Sequence, residues 1–74
     1  MYQIILLKPN NISTEDQPKI ARCFEKFPSI IQWTVDWDDC DKIMRIVAKT
    51  DEHLTFRLIE SLRTIRISSE VFID

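Results

Sequence analysis

The 74-residue chain contains no glycine. Loops that hold a phosphate or a dinucleotide need glycine, because their backbone must approach the ligand closely or adopt a positive φ. The absence of glycine therefore excludes the usual nucleotide-binding loops and counts against a small-molecule regulatory domain. Tight turns must instead be built from asparagine, aspartate, serine and proline.

Cysteine is also scarce, since only Cys23 and Cys40 are present and they lie far apart in the chain. Two cysteines do not form the disulfide framework of a small secreted protein, and this spacing is not that of a close metal-binding pair. We expect two free thiols in a reducing cytosol. Cys23 falls at the edge of a predicted helical apolar stripe, whereas Cys40 falls in a predicted turn.

The chain has no long apolar run, no strong charge imbalance and no second histidine. With 45% apolar residues and a net charge of −2, residues 1–74 are typical of one small soluble domain, and neither nucleic acid nor a membrane is an expected partner. The apolar start, residues 1–7, lacks the features of a signal peptide, so we expect a strand and a cytoplasmic location. Because His53 is the only histidine, and no glycine elbow accompanies it, neither an enzyme nor a resident cofactor is expected.

Apolar periodicity predicts the order βαββαβ. The predicted strands are 2–8, 31–37, 43–48 and 66–73, and the predicted helices run from about 14 to 27 and from 50 to 65. Pro18 is expected within the first turn of the first helix. Right-handed crossovers place both helices on one face of a four-stranded antiparallel sheet, with the first and third strands central. The predicted fold class is α+β, a ferredoxin-like sandwich.

The sequence Phe-Pro-Ser-Ile at 27–30, followed by Trp-x-Val-Asp-Trp at 33–37, resembles the heavy-metal-associated domain of copper chaperones and copper-pump tails. It is similar to that family's Leu-Pro-Gly-Val and Val-x-Val-Asp-Leu, and the resemblance extends over nearly the whole chain. The tract 33–42 also resembles bacterial relatives that lack the metal motif. The resemblance implies the same sandwich fold.

The family's Met-x-Cys-x-x-Cys motif would fall on Asn11, Ser13 and Asp16 of this chain. Cu(I) is a soft ion that such loops hold with two thiolates, which neither a hydroxyl nor a carboxylate replaces. The resemblance therefore supports the fold, while the residues at the motif predict that Cu(I) binding has been lost.

An alternative metal site is offered by the turn that contains Cys40 together with Asp38, Asp39 and Asp41, completed by Asp16 and Glu15 from the neighbouring loop. Such a group would suit a hard or borderline metal. The turn lacks the ordered ligand spacing of a known metal loop, however, and a solvated acidic turn has the same composition. Metal handling through Cys40 is thus the alternative function.

Protein interaction is the leading functional prediction, and it comes from the third strand. If Met44 and its alternating neighbours face the helices, then Ile43, Arg45 and Val47 face away from them, beside an apolar first strand. Monomers avoid exposed apolar patches of this kind, so we expect a protein partner there, including a second copy in a homodimer. The third strand has no aromatic residue, which argues against RNA. Trp37, next to the acidic turn, is the candidate exposed anchor.

Overall fold

The computed structural model describes residues 1–73 and contains four strands and two helices. In chain order the elements are β1 (Tyr2–Pro9), a 3₁₀ turn (Thr14–Asp16), α1 (Gln17–Glu25), β2 (Ile30–Val35), β3 (Met44–Lys49), α2 (Thr55–Thr64) and β4 (Ser69–Val71). The α+β class, with a four-stranded antiparallel sheet and two helices, is confirmed. Neither helix is both long and apolar enough to cross a membrane within this described part.

The strands are arranged in the order β2-β3-β1-β4, so β1 and β3 are central and β2 and β4 are edges. This placement of central and edge strands agrees with the prediction. In the antiparallel pairing of β1 with β3, Ile5 lies opposite Ile46 and Leu7 lies opposite Met44. Because side chains alternate along a strand, these four residues project to the same side of the sheet.

That side of the sheet carries the hydrophobic core, to which both helices contribute. The helices therefore share one face of the sheet. The choice of Met44, Ile46 and Ala48 as the inward residues of β3 is confirmed, since each is fully buried. The buried core residues are Ile5, Leu7, Ile12, Ile20, Cys23, Phe24, Met44, Ile46, Ala48, Leu54, Leu58, Leu62 and Ile67.

Strand β2 differs from the prediction at both ends. The sequence pattern placed Ile31 on the same face as Trp33, but the pairing with β3 skips Ile31 in a β-bulge, and Ile30 lies opposite Ala48 instead. The bulge turns Ile31 outward, where it is 55% exposed. The strand ends at Val35, because a turn begins when the Trp37 N–H donates to the Val35 carbonyl.

Helix α2 begins five residues later than predicted, at Thr55. The Thr50 hydroxyl does accept a hydrogen bond from the Glu52 N–H, at 3.1 Å, but the bond closes a local turn and does not start the helix. The side-chain amide of Gln3 donates to the Thr50 and Glu52 carbonyls and holds this turn against the sheet. Buried Leu54 then accepts the first helical hydrogen bond, from the Leu58 N–H at 2.8 Å.

The predicted last strand, 66–73, is reduced to the three residues of β4. Its predicted first residues, Arg66 and Ile67, instead donate hydrogen bonds to the end of α2. The Arg66 N–H donates to the Arg63 carbonyl, and the Ile67 N–H donates to the Leu62 carbonyl, both at 3.0 Å. This is the double hydrogen bond of a Schellman motif, with Arg66 at the left-handed position. Helix α1 includes Pro18 in its first turn, as predicted, and ends at Glu25, before the predicted 27.

Within residues 1–73, left-handed backbone is adopted at three positions: Asn11 (φ 62°), Lys42 (φ 48°) and Arg66 (φ 66°). Asparagine is one of the residue types expected in turns, whereas Lys42 and Arg66 were not predicted there. A side chain with a Cβ in this region costs roughly 1–2 kcal/mol. Because the chain has no glycine for these positions, Lys42 and Arg66 adopt the left-handed conformation and carry its strain.

Replacing Arg66 with glycine should raise the free energy of unfolding by about 0.5–1 kcal/mol, because the strain at the Schellman position is relieved and part of the gain is lost to unfolded-state entropy. Urea denaturation followed by circular dichroism measures the change. Arg66→Ala is the matched control, since it removes the same side chain but keeps the Cβ, and it should leave stability nearly unchanged. Equal stability of all three proteins would show that the left-handed conformation of Arg66 carries no strain.

Candidate functional site

Within residues 1–73, both helices pack on the core side of the sheet, and we call the opposite sheet surface the open face. Its position follows from side-chain alternation, since Ile4 lies opposite Val47, Leu6 opposite Arg45, and Lys8 opposite Glu70. The open face comprises Tyr2, Ile4, Leu6 and Lys8 of β1, Gln32 and Thr34 of β2, Arg45, Val47 and Lys49 of β3, Glu70 of β4, and the flanking Asp36, Ile43 and Phe72.

The centre of the open face is aliphatic. Ile4 is 59% exposed, although it lies in the middle of a central strand, and its neighbours Val47 and Leu6 are half-buried. Phe72 lies beside Leu6, because its N–H donates to the Leu6 carbonyl at 2.9 Å and continues the ladder past β4. Sequence reasoning missed Phe72, and the signal that would have found it is its alternation with Glu70.

A depression of about 400 Å³ occupies one end of the open face, lined by Leu6, Thr34, Val35, Asp36, Ile43 and Arg45. The structure thus brings together two of the residues predicted for interaction, Ile43 and Arg45, and places the third, Val47, farther along β3. Arg45 is exposed and Ile43 is half-buried. This surface offers aliphatic contact and one guanidinium.

Trp37 is not part of the open face. It is half-buried and packs against the core, and its indole Nε1–H donates to Gln17 Oε1 at 3.0 Å. Trp33 is likewise packed, with its ring 5.1 Å from that of Phe24 in an edge-on arrangement. Trp37 therefore ties the β2–β3 turn to the start of α1, and the structure does not place it beside Ile43 and Val47.

The acidic turn brings one thiol and two carboxylates together. The ligand atoms of Asp39, Cys40 and Asp41 all lie within 4.8 Å of one another, so the cluster includes Asp39 and not Asp38. The Asp41 carboxylate also lies 3.8 Å from Lys8 Nζ, and the Cys40 thiol donates to it at 4.0 Å. This set mixes hard oxygen donors with one sulfur.

Asp16, which the sequence assigned to the same metal group, has other partners. Its carboxylate accepts the Ser13 N–H at 2.9 Å and lies 3.8 Å from Lys19 Nζ, and its own N–H donates to the Ser13 carbonyl. Ser13 and Asp16 thus stabilise the start of the first helical segment. Neither they nor exposed Asn11 supplies a thiolate, so the residues at the motif positions do not fit Cu(I).

The second cysteine, Cys23, and the histidine, His53, both lie away from the acidic turn. Cys23 is only 2% exposed, and its Sγ lies 2.9 Å from Ser61 Oγ across the α1–α2 contact. His53 is exposed and follows Glu52, whose carbonyl is bound by Gln3 near the start of β1. Cys40 lies near Lys8, at the other end of that strand, so Cys40 and His53 do not form a pair.

Comparison of the chain with protein-family models, with curated proteins and with solved structures gave no match. The resemblance to the heavy-metal-associated domain therefore stays a prediction from the sequence. Arguments about function depend on the open face and the acidic turn themselves.

The protein should retain no Cu(I) in competition with a strong Cu(I) chelator, because neither Ser13 nor Asp16 provides a thiolate. A variant that carries both Ser13→Cys and Asp16→Cys is the positive control, and it should hold one copper ion per chain. Absorbance of the chelator complex measures both results. Stoichiometric copper on the unmodified monomer would contradict the prediction.

The two cysteines should differ in reactivity towards a thiol reagent in the native protein. Cys40 is exposed and should react within the mixing phase, whereas buried Cys23 should react at least about 100-fold more slowly, when the protein opens. Kinetics of the Cys40→Ser and Cys23→Ser variants assign the two phases. Similar fast rates for both variants would show that Cys23 is accessible.

Proposed function

We propose that this chain is a non-catalytic protein-interaction domain with a ferredoxin-like fold, related to the heavy-metal-associated domain but without its Cu(I)-binding cysteines. The observation that carries the proposal is the exposed aliphatic centre of the open face, where Ile4 is 59% exposed between two half-buried neighbours. The free thiols of Cys23 and Cys40 support a cytoplasmic location.

The physical basis of the proposal is the free energy that is forgone while the apolar surface of the open face stays in water. Burial of apolar surface gains roughly 25 cal/mol per Å², and a contiguous apolar patch at a sheet centre is a marker of protein contact. Arg45 adds a residue type that is enriched in protein interfaces and whose aliphatic stem packs well on apolar surface. The helices already cover the other face of the sheet, so the open face is the face of the sheet that remains for a partner.

Protein is favoured over RNA as the partner by the residues at the centre of the sheet. Sheets that bind RNA stack bases on aromatic side chains in their central strands. Here Ile4, Leu6 and Val47 occupy the middle of β1 and β3, while the aromatic residues Tyr2 and Phe72 lie towards the margins. The net charge of −2 also disfavours a phosphate backbone.

Metal handling through the acidic turn is the second candidate function, supported by the close approach of Asp39, Cys40 and Asp41. A tetrahedral Zn²⁺ site would need a fourth ligand from solvent or from a second chain. Lys8 competes for the Asp41 carboxylate and weakens such a site. Zn²⁺ binding that is lost in Cys40→Ser would favour this function over protein interaction.

An affinity-capture experiment with matched variants tests the proposed function. The bait proteins are the parent, Ile4→Lys on the open face, and Phe56→Lys on α2, where Phe56 is 74% exposed. A protein captured from a lysate of the source cell is identified by mass spectrometry, purified and titrated against each bait by calorimetry. We expect Ile4→Lys to weaken binding at least about tenfold, since a desolvated charge opposes apolar contact, while Phe56→Lys binds like the parent.

Three results would contradict the proposal. Equal binding of the partner to all three baits would place the interaction outside the open face. Loss of binding in Phe56→Lys alone would move it to α2. Capture that disappears after nuclease treatment would identify RNA as the ligand.

A further inference from the structure

We infer that the open face binds a second copy of this chain, face to face, with the strands of the two copies running in opposite directions. This inference depends on the proposed function, because it names the partner of the same surface. It is drawn from the distribution of charge along the open face.

The charges of the open face are separated along the strand direction. Lys49 lies at one end, opposite Tyr2. Glu70 lies at the other end, opposite Lys8, and Asp36 is at that same end because its N–H donates to the Ile43 carbonyl. The Lys8 charge is offset by Asp41, 3.8 Å away, and the remaining cation near this end, Arg45 opposite Leu6, is outnumbered by the two carboxylates, so this second end is acidic on balance.

The charges at the two ends lack partners within residues 1–73. None of the salt bridges in this described region includes Lys49, Asp36 or Glu70. Lys49 Nζ instead lies 5.8 Å from the centre of the Tyr2 ring. Lys49, Asp36 and Glu70 are all exposed, so each is available to a partner of opposite charge.

Of the two face-to-face arrangements with aligned strands, a second copy matches this pattern in one. A two-fold axis that crosses the strands between the two faces brings the Lys49 end of each copy onto the Asp36 end of the other, twice by symmetry. The same operation lays the aliphatic rows of Ile4 and Leu6 against each other. A two-fold axis parallel to the strands would stack the acidic ends together, which is unfavourable.

The size of the surface predicts a weak dimer. The six residue steps from Ile43 to Lys49 span roughly 20 Å, and four strands span about 15 Å, which gives a footprint of roughly 300 Å² per copy. Stable interfaces bury about 800 Å² per partner, so the dissociation constant should lie well above the micromolar range. Because its orienting charges are exposed, the dimer should also weaken at high salt.

Charge reversal tests both the partner and the orientation. The proteins are the parent, Lys49→Glu, Asp36→Lys, and the control Lys26→Glu, which makes the same charge change at an exposed position after α1. Sedimentation equilibrium at low salt, up to millimolar protein, measures association. We expect the parent and Lys26→Glu to dimerise, and each open-face variant alone to associate at least about tenfold more weakly.

An equimolar mixture of Lys49→Glu with Asp36→Lys should dimerise again. The glutamate introduced in the first variant then meets the lysine introduced in the second, while the unchanged Asp36 of the first meets the unchanged Lys49 of the second. Chains that carry both reversals should dimerise with themselves, because opposite charges again face each other. Circular dichroism confirms that every variant is folded, which the exposure of both positions favours.

Several outcomes would overturn the inference. A parent that stays monomeric at millimolar concentration excludes the second copy, while capture of another protein by the parent but not by Ile4→Lys would leave the proposed function standing. Variants that associate as strongly as the parent exclude this surface. Failure of both the mixture and the double reversal to restore association excludes the antiparallel orientation.

Discussion

The antiparallel pairing of β1 with β3 is the interaction on which the rest of the structure depends. It places Ile5 opposite Ile46 and Leu7 opposite Met44, and so creates the apolar surface against which both helices pack. The edge strands β2 and β4 then extend the sheet on either side. Because side chains alternate along a strand, the same register fixes what the opposite surface must contain.

That opposite surface bears on the unusual sequence of the first strand. Residues 4–7 are all aliphatic, which is typical of a strand that is covered on both faces. In the isolated chain only one face is covered, by the helices. The pattern of β1 therefore agrees with a partner on the open face, since exposed Ile4 then gains the burial that its neighbour Ile5 already has.

The positions that would carry thiolates in a heavy-metal-associated domain have a structural role in this chain. Ser13 and Asp16 exchange hydrogen bonds that stabilise the start of the first helical segment. A carboxylate near a helix start also interacts favourably with the helix dipole. The proposed loss of copper chemistry thus agrees with one side-chain hydrogen bond, from the Ser13 N–H to the Asp16 carboxylate, that a Cys-x-x-Cys loop would not make.

Much of the fold could be predicted because local patterns and packing agree. Because arginine is poorly suited to a core, Arg45 alone predicted which face of β3 points away from the helices. The apolar stripe of α1 predicted that Cys23 is buried, and it is. The bulge at Ile31 could not be predicted, since it leaves no mark in the composition of β2. Long-range contacts account for the other differences. The start of α2 was misplaced because Thr50 has the form of a helix cap, and only the contact with distant Gln3 shows that it closes a turn.

The start of β4 was misplaced because arginine, not glycine, occupies the left-handed position that follows α2, so no glycine marks the turn before the strand. At the candidate site, neighbouring residues 39–41 were brought together, whereas Asp16 was engaged locally.

The most direct test of the central claim is a residue-by-residue record of association in solution. Amide chemical shifts measured by heteronuclear NMR across a dilution series would show which backbone groups sense a partner copy. The account predicts concentration-dependent shifts concentrated in β1 and β3, around Ile4, Leu6 and Val47, with α1 and α2 nearly unaffected. Shifts centred on the helices, or spectra that do not change with concentration, would contradict it.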